Sequence, residues 1–182
     1  MERVIAERGR IALRPLDIAD GPSLANAYRR NREALAPWEP LRDDGFFSDD
    51  GQGAAFDRRL AARAAGAAFP YVMVRADRIV GLLNLSAVEH GAFSSGRLGY
   101  WVDEDERGRG LARWAVGEVV REAREEHGLH RLEAATLVHN RASQRVLEGN
   151  LFTPIGLARD YLKIAGRWQD HVLYQRILRT DA

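Results

Sequence analysis

Between an acidic turn and an apolar run of helical period, the chain reads Arg107-Gly108-Arg109-Gly110-Leu111-Ala112-Arg113. The first turn of a helix leaves about four backbone N–H groups without partners and carries partial positive charge, so a phosphate docks there readily. No Ser, Thr, Asp or Asn stands just before Leu111 to cap those amides. Gly108 and Gly110 allow close backbone approach, and Arg107 and Arg109 add fixed charge; each dipole contact of this kind contributes about 0.3–1 kcal/mol when exposed. Such a set suits a pyrophosphate. The plainer alternative is a tight strand-to-helix turn with both arginines in solvent. Two familiar phosphate loops do not fit: the Gly-Lys-Ser/Thr ending is missing, and Arg113 stands where the dinucleotide fingerprint needs its third glycine.

The elements around this turn read as an alternation of strands and helices. Residues 10–16 alternate as a strand, and 17–35 carry Ile18, Leu24, Ala27 and Tyr28 at helical spacing, with a break expected at Gly21-Pro22. Residues 37–53 are turn-rich, and an Ala- and Arg-rich helix follows near 54–65. Tyr71 to Val74 and 79–88 suggest a hairpin turning about Asp77, and 98–102 form the strand before the turn. The helix from Leu111 to about His127, stopped by Gly128, lines up Ala112, Ala115, Val116, Val119, Val120 and Ala123. A strand over 131–138, a short helix over 141–148 and strand-like runs over 152–162 and 171–178 complete the pattern. Strands before and after a crossing helix imply a mixed α/β sheet, and without a repeat or linker the expectation is one domain over 1–182.

Composition narrows the chemistry. A length of 182 residues with 46% hydrophobic and 29% charged residues fits one globular core. With no cysteine, disulfides, thiolate nucleophiles and Cys-ligated zinc are excluded, so thiol chemistry must come with a cofactor. The 27 basic and 26 acidic residues leave +1, which offers no global attraction for nucleic acid or an anionic membrane. Only Lys163 among the basic residues is a lysine, and Arg58 with Arg59 reads as a solvated face. The first 14 residues lack the continuous apolar run of a signal or spanning segment, so a cytoplasmic protein is expected, monomer or homodimer. His127 and His130 straddle Gly128 without partner ligands, so no metal is expected; His139 and His171 read as structural or surface groups.

The strand, the Arg-x-x-Gly-x-Ala turn of Arg107, Gly110 and Ala112, and the long amphipathic helix resemble the acetyl-coenzyme A site of the GNAT acetyltransferases. The resemblance runs from about residue 10 to 178. Gly81-Leu82-Leu83-Asn84-Leu85, Leu98-Gly99-Tyr100-Trp101, Asn140-Arg141-Ala142-Ser143 and the tail from Arg159-Asp160-Tyr161 through Gly166-Arg167-Trp168-Gln169-Asp170-His171 look like the RimJ/RimL branch, N-terminal acetyltransferases of ribosomal proteins, the tail most like RimJ members. It implies a GNAT α/β (α+β) fold, a mostly antiparallel mixed sheet of about six to seven strands flanked by helices. It also implies acetyl-CoA as cosubstrate, with backbone partners for its pantetheine arm at Tyr100, Trp101 and Val102. The same resemblance assigns the pyrophosphate to amides from Gly108 to Arg113, a pantetheine contact to Asn140, and a position near the sulfur to Ser143, whose hydroxyl can donate to the departing thiolate. Ser143 is equally a plain serine at a helix start.

Departures bear on the acceptor. The strand glutamate and helix tyrosine of other GNAT branches correspond to Ala135 and Leu147, the usual Gly-Phe reads Leu151-Phe152, and a glutamate near the following glycine is replaced by Ile155. A thioester is already activated, so an amine needs to be neutral and aligned more than it needs a covalent relay. An α-amine, with pKa about 7.7–8.0, meets that need more easily than a lysine near 10.4. The expected acceptor is therefore a protein N-terminus, that of a ribosomal protein by the resemblance; a small amine such as an antibiotic or polyamine and a silent coenzyme A-binding module are the alternatives. Glu133 is a candidate base or a salt-bridged strand residue. Trp38, Asn84, Tyr161 and Asp170 are the candidate acceptor-pocket residues.

Overall fold

A computed structural model describes residues 3–178; the expected domain limits at residues 1 and 182 lie outside them. Strand β1 (Ala6–Arg8) is a short edge, and β2 (Ile11–Pro15) buries Ile11 and Leu13 with the period of two that a sheet face demands. Asp17 and Asp20 then form a reciprocal capping box, and Arg14 closes on the buried Asp20 carboxylate through two hydrogen bonds of 2.7 Å. Helix α1 (Gly21–Arg30) starts at Gly21-Pro22 rather than breaking there. Proline lacks only an N–H that a first turn leaves unpaired, so it opens a helix as readily as it interrupts one. The short α2 (Arg32–Leu35) follows.

Part of the expected turn region is helical. Helix α3 (Asp44–Phe47) is a single turn, and α4 (Asp49–Ala64) begins ahead of Ala54 because Ser48 accepts the Gly51 amide at 3.1 Å while Asp49 and Asp50 face the positive helix end. Those contacts outweigh the cost of about 1 kcal/mol for a helical glycine. Gly51 is required there for a second reason: a Cβ would stand 2.0 Å from the Gly45 carbonyl oxygen.

Strands β3 (Phe69–Arg75) and β4 (Arg78–Glu89) form the expected hairpin, turning through Ala76 and Asp77 at φ 46° and 64°. Strand β5 (Ser95–Val102), helix α5 (Leu111–Glu125), strand β6 (Arg131–Leu137) and helix α6 (Arg141–Glu148) follow in the expected order. Strands β7 (Thr153–Ile164) and β8 (Arg167–Ile177) extend toward each other beyond the expected ends and meet as a hairpin. Leu151 itself adopts the left-handed conformation, at φ 61°, where the family pattern has glycine.

The sheet order is β1-β2-β3-β4-β5-β6-β8-β7. Eight strands form it, not six to seven; β1, three residues on an exposed edge, has too little apolar alternation to be read. Every pairing is antiparallel except β5 with β6, which α5 connects. Val116, Val119 and Leu132 belong to the core under α5, whereas Leu24, Phe56, Leu82 and Trp101 form a second core with α1 and α4. Each fully buried Val or Leu contributes about 1.5–3 kcal/mol, so the α5 stripe firmly fixes that helix against the sheet.

Candidate active site

Strands β5 and β6 pair only where Ser95 to Arg97 meet Arg131 to Glu133. Beyond that point β5 stays with β4 as far as Val102, β6 stays with β8 as far as Leu137, and the two central strands part. The backbone of 98–102 thus has no neighbouring strand on its β6 side, an edge that an extended ligand can complete.

The turn into α5 lies at the end of β5. Gly108 and Gly110 both take positive φ, 75° and 73°, and α5 starts with no side chain capping its first amides. A Cβ on Gly108 would meet nothing within 4 Å. A cavity of about 420 Å³ runs from this turn between α5 and α6, with Tyr100, Trp101, Val102, Arg107, Gly108, Gly110, Leu111, Ala112, Arg113, Asn140 and Ser143 all on its wall. An uncapped helix start, left-handed glycines and an unpaired strand edge fit a long ligand with a phosphate group, as acetyl-CoA is. Arg109 is absent from that wall, its guanidinium pairing with Glu106 at 2.9 Å, and Arg107 donates to the Ala34 carbonyl at 3.2 Å. Sequence reading missed Arg8, which donates to the Gly110 carbonyl at 3.1 Å, and Arg145 on the cavity wall.

Buried polar groups hold the turn. Asp103 receives Arg30 Nε at 2.8 Å and Arg78 at 3.1 Å, and Asn31 accepts the Glu104 amide at 2.9 Å. Burial alone would raise the Asp103 carboxyl, but the hydrogen bonds from Arg30 and Arg78 outweigh it and hold the group below the usual carboxylate range. Arg75 and Arg109 both pair with the buried Glu106.

A second cavity of about 320 Å³ shares Trp38, Tyr100, Trp101, Asn140 and Ser143 with the first. At the shared wall the Tyr100 hydroxyl is 2.9 Å from Ser143 Oγ and 3.2 Å from the Ser143 carbonyl, which accepts its hydrogen bond. Burial pushes the Tyr100 phenol up to about 12, so it stays protonated near neutrality. Asn140 Oδ1 accepts the Ser143 amide at 3.1 Å and caps α6, which leaves its amide nitrogen for a ligand.

Of the four expected acceptor residues, Trp38 and Asn84 line this second cavity. Tyr161 lines an adjoining one of about 280 Å³, and the Asp170 carboxylate accepts the Asp160 amide at 2.9 Å within the β7 bulge. Asn84 Oδ1 and Thr136 Oγ1 are buried without a partner. Ala135 and Leu147 are on the wall and supply no proton chemistry. Glu133 pairs with Arg131 and, at 3.6 Å, with Arg97. Arg59 corrects the sequence reading: Arg58 is exposed, but Arg59 donates to the Tyr28 hydroxyl at 2.8 Å and lines the cavity. Glu39 and the buried His171 line it too, and neither carries a signal of spacing or motif. Burial pushes the Glu39 carboxyl up against the opposing pull of Arg42 and Arg59.

The family described as Acetyltransferase (GNAT) domain matches residues 10–153. A ribosomal protein uS5-alanine N-acetyltransferase of Escherichia coli (strain K12) is 34% identical over 166 residues, 90% of this chain and 86% of its own. The probable N-acetyltransferase YjcK of Bacillus subtilis (strain 168) is 31% identical over 163 residues, 88% and 90% of the two chains. Among solved structures, ribosomal-protein-S5-alanine acetyltransferase from Vibrio fischeri has a TM-score of 0.90 at 32% identity, covering 94% of this chain and 95% of that one. Mycobacterium smegmatis RimJ in complex with CoA-disulfide has a TM-score of 0.86 at 29% identity, covering 92% and 81%. No helix among the described residues is long and apolar enough to cross a membrane. With β5 and β6 splayed apart into a wedge, its uncapped turn and these relatives, the chain belongs to the GNAT acetyltransferases and is an acetyl-CoA-dependent N-acetyltransferase.

Proposed function

We propose that the acceptor is the α-amino group of a protein N-terminus, on a ribosomal protein, and that residues 1–182 act as one domain in this reaction. The observation that carries the proposal is the meeting of two cavities at Tyr100 and Ser143, one leading to the α5 turn and the other lined by Trp38 and Asn84. The Escherichia coli relative at 34% identity and the Vibrio fischeri structure at 32% support it by what their names say they modify, an alanine of ribosomal protein uS5 (S5). Acetyl-CoA supplies the activated acyl group. Tyr100, Trp101 and Val102 align its pantetheine arm along the open strand edge, the amides from Gly108 to Arg113 hold its pyrophosphate, and Asn140 donates to the arm. Ser143, bonded to Tyr100, gives a proton to the departing sulfur. An N-terminal amine, with pKa about 7.7–8.0, enters the acceptor cavity past Trp38 and Asn84 with a useful neutral fraction.

The test is incubation with acetyl-CoA and a panel of N-terminal peptides and aminated metabolites, read by mass. A gain of one acetyl on peptide α-amines is expected. A gain confined to metabolites reassigns the acceptor to a small amine, and no gain on any amine despite coenzyme binding leaves only a binding module.

A further inference from the structure

We propose that His171 is the group that takes the proton from the acceptor nitrogen, an inference that rests on the N-acetyl transfer assigned above. Its side chain is buried, with the residue only 3% exposed, yet it lines the same 320 Å³ cavity as Ser143. Nδ1 lies 2.9 Å from the Gln169 carbonyl oxygen. A carbonyl can only accept, so Nδ1 carries the proton and Nε2 keeps a lone pair. The ring is braced by Tyr161, 5.6 Å away between centroids and tilted by 58°. In the sheet His171 sits opposite Leu137, at the end of β6, where β6 has already left β5. A base oriented by a second group and set on the wall of the proposed acceptor cavity has two of the features of a general base, a fixed tautomer and a place beside the acceptor.

Glu39 shares the cavity with His171 and is drawn toward Arg42 at 4.0 Å, whereas the remaining candidates nearby are committed elsewhere or inert. Glu133 is paired with two arginines, Asp170 holds the Asp160 amide, and Ala135 and Leu147 have nothing to titrate. Asn84 Oδ1 and Thr136 Oγ1, buried and unpartnered in the same cavity, are acceptors that can take the remaining N–H of an amine. In the step itself the nitrogen forms a bond to the acetyl carbon and the C–S bond breaks with its electron pair left on sulfur. The proton on nitrogen moves to Nε2, and the sulfur takes a proton from Ser143. The imidazolium then releases its proton to solvent, and Ser143 regains one from solvent, so no charge is stored. The titratable groups around His171 are Tyr161 on β7, Asp170 beside it, and Tyr28, Glu39, Arg59 and Tyr100 across the cavity; β6 brings only Ala135, Thr136 and Leu137.

His171→Asn keeps an N–H donor for the Gln169 carbonyl and removes the lone pair at Nε2. Expected are a kcat about 100-fold lower on the N-terminal peptide that the wild type acetylates best and coenzyme affinity by calorimetry within about twofold. His171→Ala should recover part of its rate when imidazole is added. An H171N enzyme with wild-type kcat overturns the proposal, as does an H171A enzyme that imidazole does not rescue or a loss of rate that only tracks loss of coenzyme affinity. If the wild type acetylates metabolites and no peptide, the acceptor assignment fails instead, and the same comparison is read on those metabolites.

Discussion

The two sides of the wedge are held in place by different means. The α5 turn is pinned from below by Asp103, Glu106 and Asn31, all buried and all hydrogen-bonded to groups from α1, β3 or β4, or to the turn itself. The acceptor side is a wall of separate pieces: the segment after α2 reaches the β7–β8 turn through the Ala165 amide on the Glu39 carbonyl at 2.9 Å, and Leu41, Leu162 and Trp168 remain exposed there. A polyanion needs donors fixed before it arrives, because reorganising them would spend the electrostatic gain. The side proposed to receive the second substrate has less polar structure beneath it, and its lining comes from several distant segments.

Gly110→Trp strikes the pinned side hardest. It forces a bulky residue to φ 73° beside the Arg8 guanidinium, within 3.5 Å of the new Cβ, and blocks the amides of α5. Left-handed strain alone costs about 1–2 kcal/mol, and with the lost phosphate contacts a Kd for coenzyme A at least about 100-fold weaker is expected by calorimetry. Wild-type affinity would remove the turn from the site.

Asp103→Asn should lower unfolding free energy by about 3 kcal/mol in urea titrations, the low end for an ion-pair partner lost from the interior because Arg30 and Arg78 still reach solvent. The pH sign follows from the depressed carboxyl. Its contribution is complete above the ordinary carboxylate value of about 3.9 and is lost as pH falls below that toward the folded-state value. The difference between wild type and variant should therefore shrink in acid. A difference that grows would mean that Asp103 is not the group supporting the turn.

Smaller again is Ser143→Ala, at the place where the two sides meet. Because a thiolate departs easily, kcat should fall about tenfold, less than a general acid gives with a poorer leaving group, with coenzyme affinity kept. Equal kcat in the variant would take Ser143 out of the chemistry. Arg58→Ala, exposed on α4, should change neither stability beyond about 0.5 kcal/mol nor coenzyme binding.

The same contrast governs how much of each side is legible in the amino-acid sequence. An uncapped glycine turn is a local signal, so residues 107–113 and the order of the strands and helices around them can be read from residue types, whereas the roles of Tyr100, Asn140 and Ser143 come with the family resemblance. The proposed acceptor wall draws Glu39, Arg59, Asn84, Thr136 and His171 from five separate elements or loops, and sheet register together with helix and loop packing brings them to one cavity. Arg59 looks like its exposed neighbour Arg58 until α4 packs against α1 and turns it toward Tyr28. His171 sits in a run of alternating residues like any strand position, and its buried setting comes from pairing with Leu137 and Ala158.

The parting of β5 from β6 after three residue pairs leaves the centre of the sheet unzipped. A molecule that filled the gap would supply the missing rungs, and its binding would then add to the stability of the fold. At free acetyl-CoA near 100 times its Kd, the native state gains about 2.7 kcal/mol over the empty protein. With the proposed placement of acetyl-CoA in this gap, resistance to unfolding and proteolysis should rise with the concentration of the acyl donor.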